Sequence, residues 1–125
     1  MKQPIATAGA PAAIGPYSQA VEAGGCIYVS GQLPINPATG QMAEGGVAEL
    51  TRQSLANIRA ILAEAGLGME NVVKTTCYLK SMDDFALFND IYGQYFVSSK
   101  PARSCFQVAK LPKDGLVEIE VVAAR

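Results

Sequence analysis

Arg103 and Glu118 are the two residues whose types and setting best suit chemistry. Arg103 stands near the start of the strand-like run Pro101-Ala-Arg-Ser-Cys-Phe-Gln-Val-Ala-Lys110, with no carboxylate beside it. A guanidinium keeps its proton and presents a flat fork of donors matched to carboxylate or phosphate. A half-buried arginine without a local partner therefore points to an anion clamp. Glu118 lies fifteen residues on, inside the otherwise apolar run Leu116-Val-Glu-Ile-Glu-Val-Val-Ala-Ala124, where a carboxylate can act as a general base. The intervening Leu111-Pro-Lys-Asp-Gly115 reads as a turn, so one hairpin is expected to carry both groups. The competing reading is that both charges simply face solvent from half-exposed strands, which is common. Proline before the run and a defined turn after it favour the chemical reading, because they hold both charges on a fixed backbone.

Register then separates the pair. With residues 111–115 as the loop, Val108 falls opposite Glu118 and Arg103 lies five residues farther from the turn. At about 3.3 Å per residue the gap is roughly 16 Å, so the two groups either converge across a subunit boundary or are unrelated.

Composition narrows the rest. The 125 residues, half of them apolar, suit a single domain over residues 1–125 with one core. Ten basic against eleven acidic residues leave a net charge of -1, which offers no pull toward nucleic acid or anionic lipid. No apolar run is long enough for a membrane span and the first residues lack a secretory core, so a cytoplasmic protein is expected. Cys26, Cys77 and Cys105 are odd in number and lack CxxC spacing, which indicates neither a disulfide scaffold nor a zinc site. Histidine is absent, which removes Ser-His-Asp and Cys-His nucleophiles and most transition-metal sites. No GxGxxG or phosphate-loop pattern occurs. Any catalysis is expected to be simple and free of metal and cofactor. Ser30 lacks a recognisable activating base, which makes it a weak candidate nucleophile, and Cys105 is a similarly weak one although a nearby arginine lowers a thiol pKa.

The elements that must position these groups follow from periodicity. Cys26-Ile-Tyr-Val-Ser30 has strand composition, and Gly31 after it suits a backbone that something approaches closely. Apolar residues at 47, 50, 55, 58, 61 and 62 predict a helix over residues 46–65, stopped by Gly66 and Gly68. Asn71-Val-Val-Lys-Thr-Thr-Cys-Tyr-Leu79 reads as a strand. Ser81 or Asp83 can cap a second helix, whose stripe of Phe85, Phe88, Ile91, Tyr92, Tyr95 and Phe96 reads as core. The order β, β, α, β, α, β, β gives an α+β fold with two helices on one face of a mixed sheet. Alternation groups Arg103, Cys105 and Gln107 with Glu118, Glu120, Val122 and Ala124 on a face that mixes charge with apolar surface. A subunit interface is expected there.

Several ordered motifs together resemble the RidA (YjgF/YER057c/UK114) family of 2-imino acid deaminases. They are Ala13-Ile-Gly-Pro-Tyr-Ser-Gln19, Val29-Ser-Gly-Gln-Leu-Pro34, Asn57-Ile-Arg-Ala-Ile-Leu-Ala-Glu-Ala-Gly-Leu67, Pro101-Ala-Arg-Ser-Cys105, Val108-Ala-Lys-Leu-Pro-Lys-Asp114 and Glu118-Ile-Glu120. The stretch Val97-Ser-Ser-Lys100 looks shorter than in enterobacterial members. The resemblance implies a chorismate-mutase-like fold, a homotrimer with a cleft at each subunit interface, and cofactor-free hydrolysis of 2-imino acids to 2-keto acids and ammonia. It implies that Arg103 binds the substrate carboxylate with help from the Cys105 backbone N–H, that Glu118 positions water, and that Tyr17, Ser30 and Gly31 line the pocket. A non-catalytic trimer that binds small carboxylates as a sensor or protein partner stays open as the alternative. RNA cleavage, attributed to some relatives, is disfavoured by the mild acidity.

Overall fold

The computed structural model describes residues 1–125. Eight strands and two helices follow one another along the chain. They are β1 (Gln3–Ile5), β2 (Ala20–Ala23), β3 (Cys26–Gln32), β4 (Ile35–Asn36), β5 (Gln41–Met42), α1 (Val47–Glu64), β6 (Val72–Leu79), α2 (Phe85–Tyr95), β7 (Ala102–Gln107) and β8 (Val117–Ala124). Six strands form one sheet in the order β1-β2-β3-β8-β6-β7, and β4 and β5 make a separate small hairpin. Only β6 and β7 run parallel.

The predicted helices sit where their periodicity places them. In α1, Leu55, Ile58, Ile61 and Leu62 are fully buried, while Glu49 turns back to accept from the Gly46 N–H at 2.8 Å and closes the first turn. A short 3-10 turn precedes α2, with the Ser81 hydroxyl accepting from the Asp83 N–H at 3.1 Å. The aromatic stripe of α2 packs as core. Phe88 and Tyr92 lie 5.7 Å apart, and Tyr92 and Phe96 4.7 Å apart, in tilted pairs. Both helices cover one face of the sheet, against Val117, Ile119, Val121 and Ala123 of β8 and Cys77 and Leu79 of β6.

The expected hairpin of the last two strands is not formed. β6 lies between β7 and β8, pairing antiparallel with β8 and parallel with β7. The reason is burial. β7 carries Arg, Ser and Cys in its middle and Gln at its end and is exposed along nearly all its length, which suits a sheet edge, whereas β8 buries every second residue and suits the centre. Residues 111–115 do not make a tight β-turn. Pro112–Asp114 form a 3-10 turn in which Lys113 (φ 56°) and Asp114 (φ 55°) are both left-handed.

The expected face is also corrected. Thr75 pairs with both Arg103 and Val121, and Cys77 with both Cys105 and Ile119. Register partners share a face, so Arg103 and Cys105 belong to the helix-covered side. Glu118 and Glu120 pair with Tyr78 and Thr76 and belong to the open side, together with Tyr28, Phe106 and Val122. No helix covers that side, and Tyr28 and Phe106 are each nearly half exposed on it.

Candidate active site in two halves

Glu118 gets its place from β8 and its surroundings from the loop before β2. Gln19 is buried, accepts from the Thr7 N–H at 2.7 Å, and donates to the carbonyls of Thr7 (3.0 Å), Ala10 (3.3 Å) and Pro11 (2.8 Å). One amide thus stitches residues 7–11 against the sheet. Asn57, buried on α1, donates to the carbonyls of Leu33 (3.2 Å) and Ile35 (3.0 Å) and fixes the opposite wall. Between these walls lies a cavity of about 520 Å³ that brings together Tyr17, Ser30, Gly31 and Glu118, with Lys113 at its lip. Four of the predicted site residues therefore share one pocket.

Gly31 meets the expectation of a close approach. A Cβ built there would stand 2.7 Å from Glu118 Oε2 and 3.0 Å from its Cδ, so only a residue without a side chain lets the carboxylate lie where it does. The Ser30 hydroxyl donates to the Ser18 carbonyl at 2.6 Å and not to a base, which agrees with its weakness as a nucleophile. Burial raises the Glu118 carboxyl above its ordinary pKa, and the Glu120 charge on the same face adds to the effect. Glu120 is occupied otherwise, accepting from the Tyr78 hydroxyl at 2.5 Å. That bond, together with burial, pushes the Tyr78 hydroxyl up to about 12. Of the two carboxylates, Glu118 is the one free to take a proton.

Arg103 lies elsewhere. Its guanidinium is exposed, donates to Asn89 Oδ1 at 2.7 Å, and lies 4.7 Å from the Tyr92 ring and 5.5 Å from the Phe85 ring. It lines a separate hollow of about 450 Å³ with Asn89, Tyr92, Phe96 and Lys100. The ion pairs of the chain are Lys80–Asp114 and Arg125–Glu22, and neither uses Arg103. A cation held by α2 and left without a carboxylate is prepared for an anion from outside the chain. Cys105 lines neither hollow. Its side chain sits beside Cys77 on the helix-covered face.

Two strands of lateral separation and three residues of register place Arg103 and Glu118 roughly 14 Å apart, on opposite faces of the sheet. The expectation that they do not meet within one chain holds, for a reason other than the hairpin register. Gln19, Asn57 and Asn89 were not expected as site-building residues. Gln19 and Asn57 stood in the quoted motifs, and a polar residue at an apolar position of the α1 stripe was the available signal for Asn57.

Residues 7–125 match the family model described as Endoribonuclease L-PSP. A Bos taurus protein named 2-iminobutanoate/2-iminopropanoate deaminase is 57% identical over 97% of this chain and 88% of its own length. A RutC family protein of Pyrococcus horikoshii is 51% identical over 98% of each chain. The crystal structure of Escherichia coli TdcF with bound serine superposes with a TM-score of 0.94 at 43% identity, covering 98% of each chain.

Proposed function

Since the chain belongs to the endoribonuclease L-PSP family, to which RidA and YjgF proteins also belong, we propose that it hydrolyses 2-imino acids to 2-keto acids and ammonia in the cytoplasm, as a homotrimer. The observation that carries this reading is the unpaired Arg103 clamp on one face and the Glu118 cavity on the other. A second copy whose open face meets the edge of β7 would bring the two halves together, and a closed ring of three satisfies every interface alike. The exposed Tyr28 and Phe106 on the open face support such a contact.

In this reading the substrate carboxylate lies across the Arg103 fork, with the Cys105 N–H beside it, so that the imine carbon faces Glu118 of the neighbouring copy. Glu118 takes a proton from water as its oxygen attacks the carbon of the protonated imine, giving a carbinolamine. That proton then passes to the nitrogen, and as the C–N bond breaks Glu118 takes up the hydroxyl proton, so that ammonia and the 2-keto acid leave. A carboxylate whose pKa is raised toward neutrality suits both transfers. Tyr17 and Ser30 line the ligand cavity.

Hydrolysis of iminopropanoate generated in situ, with semicarbazide trapping the free imine, measures the activity. Inactive Arg103→Ala and Glu118→Ala chains refolded together at equal ratio should regain about a quarter of wild-type activity. Three-quarters of random trimers are mixed, and each mixed ring has one intact interface of three. Mixed rings confirmed by mass spectrometry but devoid of hydrolysis overturn the shared site. A second reading, a trimer that binds small carboxylates without turning them over, is favoured by the serine in the related TdcF structure. Both readings need Arg103, and only hydrolysis needs Glu118. Glu118→Gln that keeps ligand binding and loses the rate, with Glu120→Gln largely active, decides for hydrolysis.

A further inference from the structure

The chain's cysteines are all free. Cys77 and Cys105 are direct register partners across the parallel β6–β7 pair and point to the same side of the sheet. Paired strands put such Cα atoms about 4.8 Å apart, inside the span of about 4.4 to 6.8 Å that a disulfide bridges. Cys77 is fully buried, with its thiol donating to Thr75 Oγ1 at 3.9 Å, and Cys105 is half-buried on the strand that forms the sheet's edge. Within the chain β7 is bonded to β6 alone, so closing the sulfurs disturbs a single ladder. Cys105 is the one residue of β7 that is not exposed, yet it is less deeply buried than Cys77, so a small oxidant reaches its sulfur more readily.

We propose that Cys77 and Cys105 form an oxidisable thiol pair that closes to a cross-strand disulfide between β6 and β7 when the protein meets a hydroperoxide. The Cys105 thiolate attacks the peroxide O–O bond and is oxidised to the sulfenic acid, while the peroxide is reduced and, taking a proton, leaves as the alcohol or water. The Cys77 sulfur then displaces hydroxide from the sulfenic sulfur, and its own proton completes the departing water. Two thiols and one peroxide give one disulfide with full electron balance, and a dithiol reductant reverses it. The roles are unequal for electrostatic reasons. The neighbouring Cys77 thiol and the Arg103 guanidinium draw the Cys105 thiol down, against burial, while Cys77 is pushed up. Cys105 is thus the attacking sulfur and Cys77 the resolving one.

The test is hydrogen peroxide treatment of the intact protein at neutral pH, with excess alkylating agent added before digestion. The expected product is a mass lower by two hydrogens and a linked pair of tryptic peptides, residues 75–80 joined to residues 104–110, lost on adding dithiothreitol. Cys105 should be consumed several-fold faster than Cys77, since the Arg103 guanidinium beside it favours its thiolate. In Cys77→Ser the linked pair disappears and Cys105 proceeds to the sulfinic acid. Failure to find the linked peptides once Cys105 is consumed overturns the proposal, as does the same sulfinic product in wild type and Cys77→Ser.

Discussion

One methyl group at Gly31 separates the fold from the chemistry. In Gly31→Ala the new carbon would stand 2.7 Å from Glu118 Oε2, whereas carbon contacts settle near 3.5 Å, so the carboxylate must retreat by roughly 0.8 Å. The yielding atoms are the far end of a side chain beside an open cavity, and Gly31 is not among the glycines of positive φ, so the backbone accepts alanine without strain. Folding stability should stay level or rise by about 0.5 kcal/mol, the usual gain when alanine replaces glycine in a strand. The reaction responds differently. A displacement of this size at a catalytic group costs about 100-fold, or about 2.7 kcal/mol of activation free energy. Imine hydrolysis by the trapping assay, beside a thermal melt of the same sample, reads both quantities. A variant within threefold of wild-type kcat/KM shows that the Glu118 position does not set the rate. A variant that loses 2 kcal/mol or more of stability shows that the close approach serves packing.

Arg103→Lys should lose most carboxylate binding, since an ammonium cannot reproduce the fork, and Asn89→Ala should raise KM more than it lowers kcat by freeing one arm of the clamp; titration with a 2-keto acid ligand and steady-state kinetics check the two. Because burial raises the Glu118 pKa, the folded state holds its proton more tightly than the unfolded one, so this residue's contribution to stability is greatest below its ordinary pKa and is lost as pH rises through the raised value. Urea midpoints of wild type should fall over that window relative to Glu118→Gln, and parallel curves count against the shift. Leu55→Ala, at a fully buried site of α1, should cost about 2–5 kcal/mol by urea denaturation, and a loss under 1 kcal/mol would mean that the helix does not anchor the core.

The elements that declare themselves locally were legible in the residues. The stripe from Val47 to Leu62 fixed α1, Ser81 marked the approach to α2, and Asn71-Val-Val-Lys-Thr-Thr-Cys-Tyr-Leu79 contains β6. Strand order was not legible, because nothing near residues 101–124 says that β6 lies between β7 and β8. Such pairing is set by which strand can be buried on a full face, a property of the whole sheet. The misplaced hairpin carried the face of Arg103 with it. The candidate residues were legible by type, as was the need of Gly31 for a close neighbour, but the placement of Arg103 and Glu118 on opposite faces was not, since sidedness depends on partners distant in sequence. Gln19 and Asn57 escaped for a similar reason: an amide reveals its stitching role only when the loop it holds is in place.

β8 is the last of the eight strands to emerge during synthesis, yet its seat is in the middle of the sheet, between β3 and β6. Until it arrives, both neighbours present unpaired backbone edges, and α1 has no Ile119 or Val121 beneath it. Forty-five residues separate the end of β6 at Leu79 from the end of β8 at Ala124, which at about 5–20 residues per second leaves this gap open for roughly 2 to 9 s on a translating ribosome. The arrival of β8, more than the forming of any helix, sets the moment at which this protein acquires a core, and the open gap is where a chaperone or a stray strand would find it first.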